Sequence, residues 1–389
     1  MAGTSSAAPA AADVFAYADR QIEQAAAKLW PGAVVRLEVH TPSVTTYVRR
    51  VQVDDRALFA KVSLLGLSLV SVLRGTAGDW AQVQAAQAAY QGSPGTLLER
   101  EARGLDILRE EAGVPACRVA GLQSGVLFTE QVTGPTLADL LAKEPHRSGE
   151  LMTRVLVELA GLQQPAVARS VDEVAIAERG IGPTFHRKFN GISGPTYLRK
   201  AGQTGEVLAG MVGRLRRLRP APAAGRRPVV YGDLKPDHAV FPGGPESRSQ
   251  PSQPAHHARG RPQTDAAKLV SRTVLNLIAS PPDRAAAKAI VGGIEVFADA
   301  MTADLGPDER AAWIKHLVVL WLMDTTNILS TYLTCPADLP LPEHAVKITQ
   351  QAKVVCTLLD RTTANLLAGT DPQAVWRLAL ADVAKAADR

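Results

Sequence analysis

The chain has only three cysteines in 389 residues (Cys117, Cys335 and Cys356), and no two of them form a C-x-x-C pair. That usage supplies neither a zinc-binding set nor a disulfide framework, and it fits a reducing, cytoplasmic setting. No apolar run approaches the ~20 residues that a membrane span requires; the strongest lie at 64–73 and 317–323. The opening MAGTSSAAPAAADVF lacks a basic stretch followed by an apolar one, so it does not read as a secretory signal. No sign of charge dominates: 43 basic and 38 acidic residues leave +5 at neutral pH, far from the density of a dedicated nucleic-acid binder. The patterns G-x-S-x-G, G-x-x-x-x-G-K-[ST] and H-E-x-x-H are all missing. Their absence argues against a hydrolase elbow, a P-loop and a zincin mechanism.

What is present is material for a sizeable core. Hydrophobic residues make up 46% and charged residues 21%, at a length that suits two lobes or two to three domains rather than one. Residues 1–12 form an Ala/Ser/Pro tail, expected to be mobile. A helix follows over about 16–29 and stops at Trp30-Pro31-Gly32. The period then changes, and 34–40, 45–53 and 56–64 read as antiparallel strands separated by Thr41-Pro42-Ser43 and Asp54-Asp55. A Gly/Ala/Ser/Gln-rich stretch covers 65–95, an amphipathic helix 97–112, and a further strand pair 118–122 and 126–130.

After Thr133-Gly134-Pro135 the pattern is helical, over 136–143, 149–162, 195–200, 204–218, 265–279, 284–304, 308–333, 343–367 and 371–387. Trp313, Leu317 and Trp321 fall at helical spacing and read as core. Residues 242–263 are Pro/Ser/Gln/Arg-rich without periodicity and predict a loop or disorder. The expected class is α+β, with a β-rich part over 13–133 and a helical part over 134–389 that carries a polar loop at 231–241.

That loop, Tyr231-Gly232-Asp233-Leu234-Lys235-Pro236-Asp237-His238, follows a short extended run at 228–231. Its composition suits phosphoryl transfer. Asp233 can orient or deprotonate a hydroxyl, Lys235 can neutralise a transferring phosphoryl group, and His238 can face a cation. An ordinary solvated turn would carry the same residues, so context has to decide. In Leu58-Phe59-Ala60-Lys61-Val62-Ser63-Leu64, alternate residues share one strand face and Lys61 points to the other. Leu97, Leu105 and Leu108 form a helical stripe that contains Glu101, whereas Glu99 lies about 200° around from Leu97. A carboxylate within a buried stripe needs a partner. Lys61 is the natural one.

In this order the motifs resemble the protein-kinase-like superfamily, and within it the aminoglycoside-phosphotransferase-like small-molecule kinases. Protein kinases carry H-R-D-L-x-x-x-N and the small-molecule branch H-G-D-x-x-x-x-N. Gly232-Asp233-Leu234 follows the second and Lys235-Pro236 echoes the first, while Tyr231 stands for the usual His and His238 for the metal-binding Asn. The resemblance implies a bilobal fold with ATP between the lobes. Lys61 would meet the α- and β-phosphates, aligned by Glu101 in its Glu-Ala pair. The 41–46 turn, with Ser43 and Thr45, would cradle phosphates, and the backbone around Glu130 and Val132 would bind adenine as the hinge. Asp233 and Lys235 would be catalytic. Mg2+ would be held by His238 and, as a candidate second ligand, Asp265.

The family places a magnesium-binding aspartate about a dozen residues after the loop, yet no acidic residue occurs from Ser247 to Thr264. Asp265-Ala266-Ala267 resembles the later D-x-A motif, whose aspartate braces the catalytic loop. Three readings stay open: Asp265 is recruited to the metal, catalysis is lost, or 246–263 reflects a local shift of reading frame. The expected activity is ATP-dependent phosphorylation of a small-molecule hydroxyl, with acceptor contacts near 185–200 and 313–332. One alternative is a kinase of Ser/Thr in a precursor peptide, docked by the arginines of 214–227. Another is a pseudokinase that binds nucleotide without transfer. His256-His257 lack further ligands at metal spacing.

Overall fold

The computed structural model describes residues 8–218, 227–253 and 258–388. These fall into two compact units. Unit 1 takes the chain up to Ile107, Ala116–Gln131 and Cys335–Glu343; unit 2 takes Leu108–Pro115, Val132–Thr334 and the chain from His344 on. A single cut after residue 133 therefore does not describe the molecule, because a late segment belongs to the first unit.

Unit 1 contains α1 (Ala11–Leu29), β1 (Val35–Thr41), β2 (Tyr47–Val53), β3 (Arg56–Val62), α2 (Leu69–Val72), α3 (Trp80–Gln91), α4 (Leu97–Asp106), β4 (Val119–Gln123) and β5 (Val126–Glu130). The strands form one antiparallel sheet in the order β1-β2-β3-β5-β4. Alternation puts Tyr47, Val51, Val53, Leu58, Ala60, Val62, Val126 and Phe128 on the covered face, where Ala18, Ile22, Ala25 and Ala26 of α1 pack against them. The helix 97–112 is present in two parts, α4 and a π-helical turn over Ile107–Glu111.

Helix α1 begins at Ala11, five positions before its pattern predicts, and the reason lies far away in sequence. No side chain of its own caps it; the Asp338 carboxylate accepts the Ala11 amide hydrogen at 2.8 Å. The neighbouring Leu339 joins Ala11, Val14, Leu64, Leu69, Val72, Leu73 and Val83 in a second apolar cluster. The 65–95 stretch is likewise ordered. Fully buried Gln87 on α3 accepts from the Leu65 amide at 2.7 Å and donates to the Ser63 carbonyl at 3.1 Å, and the Tyr90 hydroxyl accepts from the Leu97 amide at 2.7 Å. Helix α3 thereby ties the end of β3 to the start of α4.

Unit 2 begins with α5 (Leu137–Lys143), α6 (Ser148–Val157), α7 (Pro165–Val174), α8 (Ile181–Lys188), α9 (Gly194–Lys200) and α10 (Gly205–Arg217). Four two-residue strands follow: β6 (Val229–Val230), β7 (Ala239–Val240), β8 (Gln250–Pro251) and β9 (Ala258–Arg259). The chain ends with α11 (Thr264–Ala279), α12 (Arg284–Met301), α13 (Pro307–Leu333), α14 (Glu343–Gln350), α15 (Ala352–Leu367) and α16 (Pro372–Ala386). Helices α7 and α8 escape the sequence pattern because they are only 10 and 8 residues long and bury three residues each. Trp321 is core and meets Trp376 edge-on, but Trp313 is only partly buried. Among the described residues no helix is long and apolar enough to cross a membrane.

The low-complexity stretch is not a free loop where it is described. β7 pairs with β8 and β6 with β9. Glu158 accepts from the Ser249 amide at 2.8 Å, Arg147 pairs with Glu246 at 2.7 Å, and Arg154 donates to the Pro245 carbonyl. The segment is held through its backbone at Ser249 and Pro245 and through the Glu246 side chain. His256 and His257 lie outside the described residues, as do Arg219 and Arg226. Arg214, at the head of the arginine-rich stretch, is occupied by Asp360 and by the Thr363 hydroxyl at 2.9 Å.

Candidate active site

In unit 1 the lysine and glutamate meet. Lys61 Nζ lies 2.9 Å from Glu101 Oε2, and both side chains are nearly inaccessible, at 9% and 3%. β3 presents Lys61 on the face opposite the apolar set, in register with Leu127 of β5, while α4 carries Glu101 between Leu97 and Leu105. Two buried charges in contact satisfy each other; either alone would be costly. Glu99, on the other face, closes a capping box by accepting from the Thr96 amide at 2.9 Å. Of the turn residues, Thr45 is exposed and Ser43 half-buried; their hydroxyls are 3.1 Å apart, and Ser43 also accepts from the Thr45 amide. The Glu130 amide donates to the Arg118 carbonyl, and its carboxylate sits 3.8 Å from Arg56. Val132 begins the long middle segment of unit 2.

In unit 2 the loop 231–238 is held from behind. Asp265, at the start of α11, accepts from the amides of Tyr231 at 2.8 Å and Gly232 at 2.7 Å. Gly232 has φ +86°, a left-handed conformation that suits glycine and turns the chain sharply into Asp233. Tyr231 is fully buried, and its hydroxyl donates to the Gln253 carbonyl at 2.6 Å. The loop is thus fastened on both sides, and Asp265 serves as its brace. Burial pushes the Asp265 carboxyl up to about 6, against the pull of the two amides and of Lys268.

Asp233 is gripped by two ammonium groups. Lys235 Nζ lies 2.7 Å from its Oδ2, and Lys268 Nζ contacts Oδ1. Desolvation, with Arg272 and Lys268 nearby, pushes the Lys235 pKa below its ordinary value despite the opposing pull of Asp233. One turn further along α11, Arg272 pairs with Asp324 of α13 at 3.1 Å in the interior.

Lys268, Arg272 and Asp324 were not anticipated from the sequence, although a signal existed. Lys268 and Arg272 stand three and seven residues after Asp265, so all three share a helix face. Asp324 is a lone acid within the apolar run of α13, and a buried acid implies a cation.

A divalent cation does not fit these residues. A hard ion such as Mg2+ needs several oxygen ligands in near-octahedral order. Both oxygens of Asp233 face ammonium groups and both oxygens of Asp265 face amides. His238 offers a nitrogen, with Nδ1 3.9 Å from Asp233. Among the described residues no group of three or more His, Cys, Asp or Glu side chains is arranged to hold a metal. Asp265 and His238, expected to hold magnesium, are placed instead against the Tyr231 and Gly232 amides and beside Asp233.

No family model matches the chain, and no curated protein matches it. Solved structures do. The amicoumacin kinase hAmiN, solved with AMP-PNP, Ca2+ and Ami, aligns over 89% of this chain and 96% of its own, at 11% identity and a TM-score of 0.51. The aminoglycoside phosphotransferase APH(2")-IIia, solved with GDP and kanamycin, aligns over 91% and 98%, at 11% identity and a TM-score of 0.49. The Plasmodium vivax ethanolamine kinase aligns over 85% and 83%, at 9% identity and a TM-score of 0.45. At such identities the likeness concerns the fold, and the first of the three carries it. The chain has the α+β, bilobal, protein-kinase-like fold in which small-molecule kinases are built.

Proposed function

We propose that the protein is a phosphotransferase that moves the γ-phosphoryl group of ATP to a hydroxyl of a small molecule. The observation that carries this reading is the loop around Asp233: a carboxylate beside Lys235, on a turn that Asp265 braces through the Tyr231 and Gly232 amides. Lys61, fixed by Glu101, would meet the nucleotide's phosphates, assisted by the Ser43–Thr45 turn, with adenine on the backbone near Glu130 and Val132. Asp233 would orient the acceptor hydroxyl and take its proton. The acceptor oxygen attacks the γ-phosphorus, the bond from that phosphorus to the β-phosphate oxygen breaks, and ADP leaves with the electron pair. Lys235 would balance the charge on the transferring group.

The test is ADP release from purified protein and ATP, with a panel of hydroxyl compounds that includes amicoumacin, aminoglycosides, macrolides and ethanolamine. Acceptor-dependent release that falls by roughly 10²–10⁴-fold in Asp233→Asn supports the reading, as expected for loss of a positioned base. Release at background in wild type and Asp233→Asn alike defeats it. A second reading, nucleotide binding without transfer, draws on the engagement of both Asp233 oxygens by lysines. Thermal stabilisation by ATP with no transfer to any acceptor would favour it.

A further inference from the structure

Where the resemblance implies a divalent cation beside Asp233, this chain places a lysine. Lys268 stands on the rigid 16-residue α11, one turn after Asp265, and its side chain is 8% exposed. It contacts the carboxylate oxygen that Lys235 leaves unused. Lys268 also feels Asp265, one turn before it on α11, so two ammonium groups and two carboxylates meet around Asp233. Arg272 does not alter this balance, because Asp324 answers it. A divalent ion entering here would have to displace a buried ammonium and leave it without its counter-charge, an expensive exchange. An ammonium can do part of the work of a metal. It carries positive charge and three N–H donors, and phosphate oxygens accept from it.

We propose that Lys268 acts as a built-in cation beside Asp233, so that nucleotide phosphates bind to this protein without a divalent metal. The inference rests on the phosphotransferase reading but differs from it in what it forbids. Lys268 and Lys235 together offer their N–H donors to the phosphate chain, and Asp233 holds both ammonium groups in place. Asp265 then has no metal to bind and is left to brace the loop, in keeping with the occupancy of both its oxygens.

The experiment is isothermal titration of the full chain with ATP, once in excess EDTA and once in millimolar Mg2+. The expected result is dissociation constants within about threefold of each other, and a loss of tenfold or more in EDTA for Lys268→Met. Two results overturn the inference and leave the phosphotransferase reading standing: wild-type binding at least tenfold weaker in EDTA than in Mg2+, or Lys268→Met binding as wild type does in EDTA. Absence of ATP binding under both conditions overturns both readings. The wild-type comparison decides the metal question even if the variant does not fold, which its melting curve would reveal.

Discussion

The Asp265 carboxylate accepts the amide hydrogen of Gly232 at 2.7 Å, joining a helix start to a loop 33 positions earlier in the chain. The same carboxyl is buried and titrates near 6. In the unfolded chain it would lose its proton near 3.8. Between those values the folded state holds a proton that the unfolded state has released. The contribution to stability is therefore full below the lower value and is lost as pH rises through the higher one. The shift corresponds to at most about 3 kcal/mol. Urea unfolding between pH 4 and 7 should show this slope, and Asp265→Asn should flatten it. Turnover should move the opposite way, rising through pH 6, because a protonated carboxyl turns a donor toward one of the two amides.

Removing one member of the buried Lys61–Glu101 pair should be worse than removing both. Glu101→Leu leaves an ammonium in a site that is 9% exposed, and the expected loss is about 3–5 kcal/mol. The double variant Lys61→Met/Glu101→Leu should recover most of that loss in denaturant titrations while failing to bind ATP. Equal stability of the single and double variants would contradict the pairing.

Gln87 should matter to unit 1 despite lying in a stretch whose sequence pattern predicts no element. Gln87→Leu strands the Leu65 amide and the Ser63 carbonyl, at about 1–3 kcal/mol for each buried group. A melting temperature unchanged from wild type would show that α3 is not the brace described above.

Two adjacent glycines of α12 should behave in opposite ways. A Cβ on Gly293 would sit 2.5 Å from Ser148 Cβ and 2.7 Å from the Gly149 amide nitrogen, so Gly293→Ala must push α6 and α12 apart. About 1–3 kcal/mol of destabilisation is expected. A Cβ on Gly292 meets nothing within 4 Å. Gly292→Ala should therefore stabilise by about 0.5–1 kcal/mol, through helix propensity alone. Thermal melts of the two variants should diverge in sign.

How much of this was legible beforehand differed from element to element. The strands and the Lys61–Glu101 pair follow from periods of 2 and 3.6 residues, because one face of each element is covered and the other is not. The loop at 231–238 is legible because its residues are contiguous. The grip on Asp233 is not. Its second half joins residues 35 positions apart, and Lys268 looks in sequence like any helix lysine until α11 is known to be buried almost throughout. The order within 65–95 was hidden for a related reason. Small residues and glutamines give α3 little amphipathic contrast, and its anchoring comes from Gln87, Tyr90 and Gln91, which bond to backbone outside it.

The placement of Asp338 and Leu339 in unit 1 has a consequence for biosynthesis. Single-chain proteins usually fold from the first-made end as it leaves the ribosome. Here the start of α1 and one of the two apolar clusters that α1 joins are completed by residues made long after the sheet. Until they emerge, Leu69, Val72 and Leu73 have no Leu339 beside them, and the nascent first unit carries uncovered apolar surface through the synthesis of nearly all of the second. A gene fragment ending near residue 131 is therefore an unfinished domain rather than a separable one. Attempts to express it alone should yield a chaperone-bound or aggregated product, unless 335–343 is supplied in the same polypeptide.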